Sequence, residues 1–92
     1  MSHTVKDKSK LLARVRRIKG QVEAVERALI AELGCTDVLM LVASLRGATN
    51  GLTAELMEDH IRHHVVDPDS EHDADRAKGA ADLIEVVRTY LK

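Results

Sequence analysis

A chain of 92 residues holds one domain, expected to span residues 1–92, and buries too little surface to be strongly stable alone, so oligomerisation is expected. Aromatic residues make up 1% of a sequence that is 45% hydrophobic, with Tyr90 the one ring, which argues against strands and for an all-α fold with an aliphatic core. The total of 14 basic and 15 acidic side chains hides a segregation, and the single cysteine excludes an internal disulfide. No apolar run nears the roughly 20 residues of a bilayer span, and MSHTVKDKSK has no signal-peptide core, so no membrane partner and a cytoplasmic location are expected.

The elements follow in chain order. Leu11, Val15, Ile18, Val22, Val25 and Leu29 alternate at spacings of four and three, which predicts one long helix from Lys6 to Glu32. Gly34 stands just past its end, where a left-handed cap residue is expected. Thr36 or Asp37 is then placed to cap a second helix with Val38, Leu41, Val42, Leu45, Leu52, Leu56 and Ile61 as its apolar positions. So short a turn makes the two helices antiparallel. Gly47 and Gly51, near Ala43 and Ala48, predict a place where another helix packs closely. The acidic segment VVDPDSEHDAD, with Pro68, ends the second helix. A third helix follows with Ala80, Leu83, Ile84, Val87, Tyr90 and Leu91 as apolar positions and Lys92 at its end.

Residues 1–20 carry seven basic side chains (Lys6, Lys8, Lys10, Arg14, Arg16, Arg17, Lys19) against the single acid Asp7, and the rest of the chain is net acidic. On the first helix, Lys10, Arg14, Arg17 and Gln21 form a ladder along one flank of the apolar stripe, while Lys8, Arg16 and Lys19 occupy the other. Cations at such spacing suit successive backbone phosphates of DNA, with strong salt dependence and little base selectivity. A solvated face, or a surface that docks an acidic protein, uses the same residues. No helix-turn-helix is present, because the second helix is too long and apolar to serve as a recognition helix.

His60 and His64, at i and i+4, share one helix face, with His63 beside them; this spacing suits a common metal ion as well as two solvated side chains. Cys35 is 25 positions from His60, roughly 37 Å along one helix, so the two cannot share a site within a subunit. Two second helices packed antiparallel about a two-fold axis would set Cys35 of one subunit against His60 and His64 of its partner. The hairpin brings the segment with His3 to the same end. A packing role for Cys35 stays open. One thiolate with several imidazoles suits Ni(II), Co(II) or Zn(II) better than Cu(I), Mg(II) or Ca(II). With Met1 removed, the Ser2 amine is a further candidate ligand. No nucleophile elbow or phosphate loop is present, so an enzyme is not expected.

The run RVRRIKGQVEAVERAL, the cysteine after it, the segment LRGATNGL and the histidines of MEDHIRHH together resemble the CsoR/RcnR family of bacterial transcriptional repressors. The resemblance implies a three-helix subunit, an antiparallel four-helix-bundle dimer, and a dimer-of-dimers tetramer that binds operator DNA in the apo form and leaves it on binding its ligand. Copper-sensing members carry a second cysteine where this chain has His64, and persulfide sensors also need two. The formaldehyde-sensing branch uses a cysteine and an N-terminal proline amine, and usually has glutamate at the position of His64; here position 2 is Ser2. The nickel and cobalt branch is matched at His3, Cys35, His60 and His64, and differs at Gly34 and His63, where it often has glutamate. The resemblance thus implies a Ni(II)- or Co(II)-released repressor of a metal-efflux gene, with Lys10, Arg14 and Arg17, assisted by Arg46, on the DNA.

Overall fold

The three apolar patterns become three helices in the computed structural model, which describes residues 8–91: α1 (Lys8–Ile30), α2 (Cys35–His64) and α3 (Ala74–Tyr90). Among the described residues there is no strand. The antiparallel register of α1 and α2 is marked by polar pairs. Midway along α1, Gln21 Nε2 donates to Ser44 Oγ at 2.9 Å, and at the end far from the turn Lys10 Nζ lies 3.2 Å from Glu55 Oε1. The N-terminal end of α1 is thereby directed toward the histidine end of α2. α3 returns along the C-terminal half of α2, which makes α2 the middle of a single layer.

The turn between α1 and α2 corrects two expectations. Gly34 is not left-handed (φ −59°, ψ 153°); the left-handed residue is Glu32, at φ 56°. The reason lies in the hydrogen bonds. Leu33 N–H reaches back to Ala28 O at 3.0 Å and Glu32 N–H to Leu29 O at 3.1 Å, a pattern that requires the residue between helix end and Leu33 to be left-handed. Gly34 instead begins α2, its carbonyl accepting from Val38 N–H at 3.2 Å, and no side chain caps this end. Thr36 and Asp37 therefore fall inside the first turn, where Asp37 complements the helix dipole. A side chain with a Cβ is strained at φ 56°, so Glu32→Gly is expected to stabilise the chain by about 1 kcal/mol, read as a higher urea midpoint at unchanged slope.

At the start of α3, Asp73 caps the helix by accepting from the backbone N–H of Asp75 (3.0 Å) and Arg76 (3.3 Å). The acidic linker is folded onto the end of α2 by Arg62, whose Nη1 lies 3.0 Å from Asp69 and 3.5 Å from Asp67.

The core is thin. Ala54 and Ile61 of α2 meet Ile84 and Val87 of α3, with Leu91 against them, and Ala28 and Ala80 are also buried. The chain measures 57 × 27 × 12 Å, with a radius of gyration of 17.3 Å. A compact domain of this length would have about 12 Å. One layer of helices leaves both its faces open, and the apolar stripe of α1 divides accordingly. Leu11, Ile18 and Val25 are half-buried against α2, whereas Val15, Val22 and Leu29 are exposed, Leu29 by 61%. Val42 and Leu56 of α2 are exposed as well, and so are Leu83 and, at 79%, Tyr90, which the sequence placed among apolar packing positions.

The glycines of α2 also differ from expectation. A Cβ on Gly51 would lie 3.2 Å from Nη1 of Arg14, while nothing lies within 4 Å of one on Gly47. Within the single chain the close approach is made by an arginine side chain at Gly51, not by a helix backbone.

Candidate functional site

Spacings of three and four sort α2 into two opposed faces. Gly51, Glu55, Glu58 and Arg62 lie on the face that meets α1 and α3. Thr53, Met57, His60 and His64 lie on the other, and Thr53, Leu56, Met57 and His60 line a shallow apolar hollow there.

The His60 and His64 rings lie with centroids 5.1 Å apart and planes tilted by 32°, and both side chains are exposed. His63, in the same last turn, is exposed too. Cys35 is the first residue of α2 and is exposed. Because Cys35 and His64 bound one helix of 30 residues, about 45 Å long, the thiol and the imidazoles occupy opposite ends of the subunit. Among the described residues no three His, Cys, Asp or Glu side chains are grouped to hold a metal within one chain. Ser2 and His3 lie outside the described residues.

The basic residues divide in a way the sequence did not indicate. Lys8, Arg16, Arg17 and Lys19 are exposed. Lys10, also exposed, and the half-buried Arg14 turn toward α2, where both pair with Glu55. Arg46 is exposed on the face of α2 away from α1, in a groove with Leu39, Val42 and Tyr90. One chain does not bring it beside the cations of α1.

Sequence reasoning missed the acids that organise this end of the molecule. Glu58 accepts two hydrogen bonds from Arg88 of α3, from Nε at 2.8 Å and from Nη2 at 2.9 Å, and one from Arg62 Nε at 3.1 Å. The Arg88 hydrogen bond, assisted by Arg62, holds the Glu58 carboxyl below the ordinary carboxylate range. Arg62 and Arg88 are both pushed the other way, chiefly by Glu58, and stay charged. The available signal was the interleaving of Glu55, Glu58 and Arg62 with the histidine row.

A depressed carboxyl stabilises the fold above its unfolded pKa, and that contribution disappears as pH falls through the lower, folded value. The Tm of the wild-type chain is therefore expected to fall as the solution is acidified below the usual glutamate range. In Glu58→Gln the Tm should already be lower by a few degrees at neutral pH, with a shallower acid limb. Thermal melts of the two chains across that range check this.

The sequence profile described as "Metal-sensitive transcriptional repressor" matches residues 7–89. The chain belongs to that family. It is 49% identical over 92 residues to an uncharacterized protein in the bioA 5′ region of Serratia marcescens, with the whole of both chains covered. It is 40% identical over 95 residues to the transcriptional repressor RcnR of Salmonella paratyphi B, again over the whole of both. Among solved structures it is similar to a glutamate-to-histidine variant of the formaldehyde-responsive regulator FrmR from Salmonella enterica serovar Typhimurium. That match has a TM-score of 0.64 and 42% identity, covering 92% of this chain and 94% of the other. The resemblance to the CsoR/RcnR family and the all-α, three-helix subunit expected from it are borne out. Metal-sensitive repressors are regulators, and DNA is the partner such proteins engage. No helix among the described residues is long and apolar enough to cross a membrane.

Proposed function

We propose that this chain is a repressor that binds operator DNA in its metal-free form and is released by Ni(II) or Co(II), with Zn(II) a further effector, so that a metal-efflux gene is expressed. The observation that carries the reading is the separation of donors. A soft thiol, Cys35, and two imidazoles, His60 and His64, stand exposed at the two ends of one helix whose flank of Val42, Leu56 and Met57 is uncovered. A second copy running antiparallel covers that flank and brings Cys35 of one subunit to His60 and His64 of the other. The resulting donor set, one thiolate and two imidazoles completed by His3 and, once Met1 is removed, the Ser2 amine, is of the borderline kind that first-row divalent metals prefer. The same pairing covers Val15, Val22 and Leu29, and doubling the dimer to a homotetramer multiplies the cations of α1 along the DNA. Release then follows if the metal-bound form favours an arrangement of α1 with lower DNA affinity.

The likeness to FrmR supports a second reading, in which formaldehyde joins Cys35 to the N-terminal amine. His64 and Ser2 favour the metal, because the formaldehyde-sensing branch uses glutamate and proline at the positions they resemble.

One experiment separates the two. An operator duplex is selected from a random pool with the metal-free chain, and the complex is titrated with Ni(II), Co(II), Zn(II), Cu(I) and formaldehyde. Release by Ni(II) or Co(II) at the lowest concentrations supports the proposal; release by formaldehyde or Cu(I) alone contradicts it.

A further inference from the structure

Two of the cations assigned to DNA are already engaged. Lys10 Nζ lies 3.2 Å from Oε1 of Glu55, and Nε of Arg14 pairs with Oε2, one cation to each oxygen. The Glu55 side chain is only 12% exposed, whereas that of Lys10 is 69% and that of Arg14 40% exposed. Arg14 issues from the face of α1 turned to α2, and its guanidinium passes over Gly51, where a Cβ would come within 3.2 Å of Nη1. A side chain at Gly51 would make the guanidinium give way by a few tenths of an ångström. The pairs sit in a cleft of about 350 Å³, open to solvent, which Arg88 of α3 also lines. By contrast, Arg16, Arg17 and Lys19 are exposed and make no ion pair among the described residues.

From this we infer that Glu55 is a built-in competitor for DNA, holding Lys10 and Arg14 until a backbone phosphate takes them. The inference rests on the DNA-binding reading above. A carboxylate and a phosphate offer a guanidinium the same two-oxygen geometry, so the two anions contend for the same donors. Moving both cations to a phosphate leaves the largely desolvated Glu55 without a partner, a cost subtracted from DNA affinity. The chain thus carries two classes of cation, a standing set on the outer side of α1 and a reserve set released only by displacement. Glu55 stands five residues before His60 in the same helix, so any shift of α2 at its histidine end changes the grip on the reserve set.

The test measures binding of the metal-free full chain to a mixed-sequence duplex of about 30 base pairs at low salt, where phosphate contacts dominate. Glu55→Gln is expected to bind about tenfold tighter, as removal of two partly exposed ion pairs per subunit allows. Glu23→Gln, which removes an exposed acid of α1, should change affinity less than about twofold. In a Lys10→Ala, Arg14→Ala background, Glu55→Gln should have no effect. Unchanged affinity overturns the proposal. Weaker binding also overturns it, and makes Glu55 a residue that positions Arg14 for DNA. A readout on the wild-type chain avoids any folding defect of the variants. On addition of the duplex, the side-chain carboxyl carbon resonance of Glu55 should move together with the amides of Arg16 and Arg17. If those amides move and the Glu55 resonance does not, the competitor falls while the DNA reading stands. If the chain binds no duplex at all, both fall.

Discussion

Cys35→Ala and His64→Ala are each expected to leave the metal-free chain bound to its operator within about twofold of wild type while abolishing its response to Ni(II) and Co(II). The two residues lie at opposite ends of α2 and neither contributes to the core, so both substitutions should preserve the fold. In an allosteric repressor the effector changes DNA affinity by about 5- to 150-fold, and that factor should collapse to one in both variants. Metal affinity itself should fall by more than about 100-fold, beyond what removing a residue that only orients a ligand costs. Operator binding followed by fluorescence anisotropy, with and without metal, measures the coupling, and competition against a chromophoric chelator measures the metal affinity. Loss in one variant alone would leave the other residue outside the donor set. A response retained in both would remove the assigned site altogether.

The second large effect concerns the outer side of α1. Replacing Arg16, Arg17 and Lys19 together by alanine should lower the affinity of the metal-free chain for DNA by about 100-fold or more at low salt. The slope of log K against log salt should become shallower by about 0.9 for each phosphate that is no longer neutralised. Arg76→Ala, which removes an exposed cation from the first turns of α3, should leave affinity and slope unchanged. An equal drop in Arg76→Ala would mean that binding follows overall charge and no particular helix.

The residues differ in how far the sequence revealed their roles. The three helices were legible because Leu11, Ile18 and Val25 on α1, and Ala80, Ile84 and Val87 on α3, keep helical spacing over several turns. The separation of Cys35 from His60 was legible as well, since it needs only the rise per residue and an unbroken helix. The sequence did not distinguish the two edges of the α1 stripe. Val15, Val22 and Leu29 are as apolar as the residues that pack, and they are exposed because a single layer has nothing to set against them. The turn differs from expectation because glycine is the commonest left-handed residue, yet the hydrogen bonds that close α1 place that conformation two positions earlier, on Glu32. Lys10 and Arg14 look equivalent to Arg16 and Arg17 on a wheel. Their difference appears only when Glu55, about forty positions away, comes opposite them. Glu58 with Arg88 is hidden for the same reason, as a pairing between helices leaves no local periodicity.

The central claim is that the sensor is completed between subunits, and a mixing experiment reads it directly. A thiolate bound to Ni(II) or Co(II) gives a ligand-to-metal charge-transfer band that imidazoles alone do not. Chains carrying Cys35→Ala and chains carrying both His60→Ala and His64→Ala are each loaded with metal, then mixed under conditions that exchange subunits, and the band is recorded. If Cys35 of one subunit meets His60 and His64 of another, the band is absent from each parent. It then returns on mixing to about one quarter of wild-type intensity, because half of the dimers are mixed and each has one intact site. A band that stays absent after exchange would contradict the account and require the thiol and imidazoles to act apart.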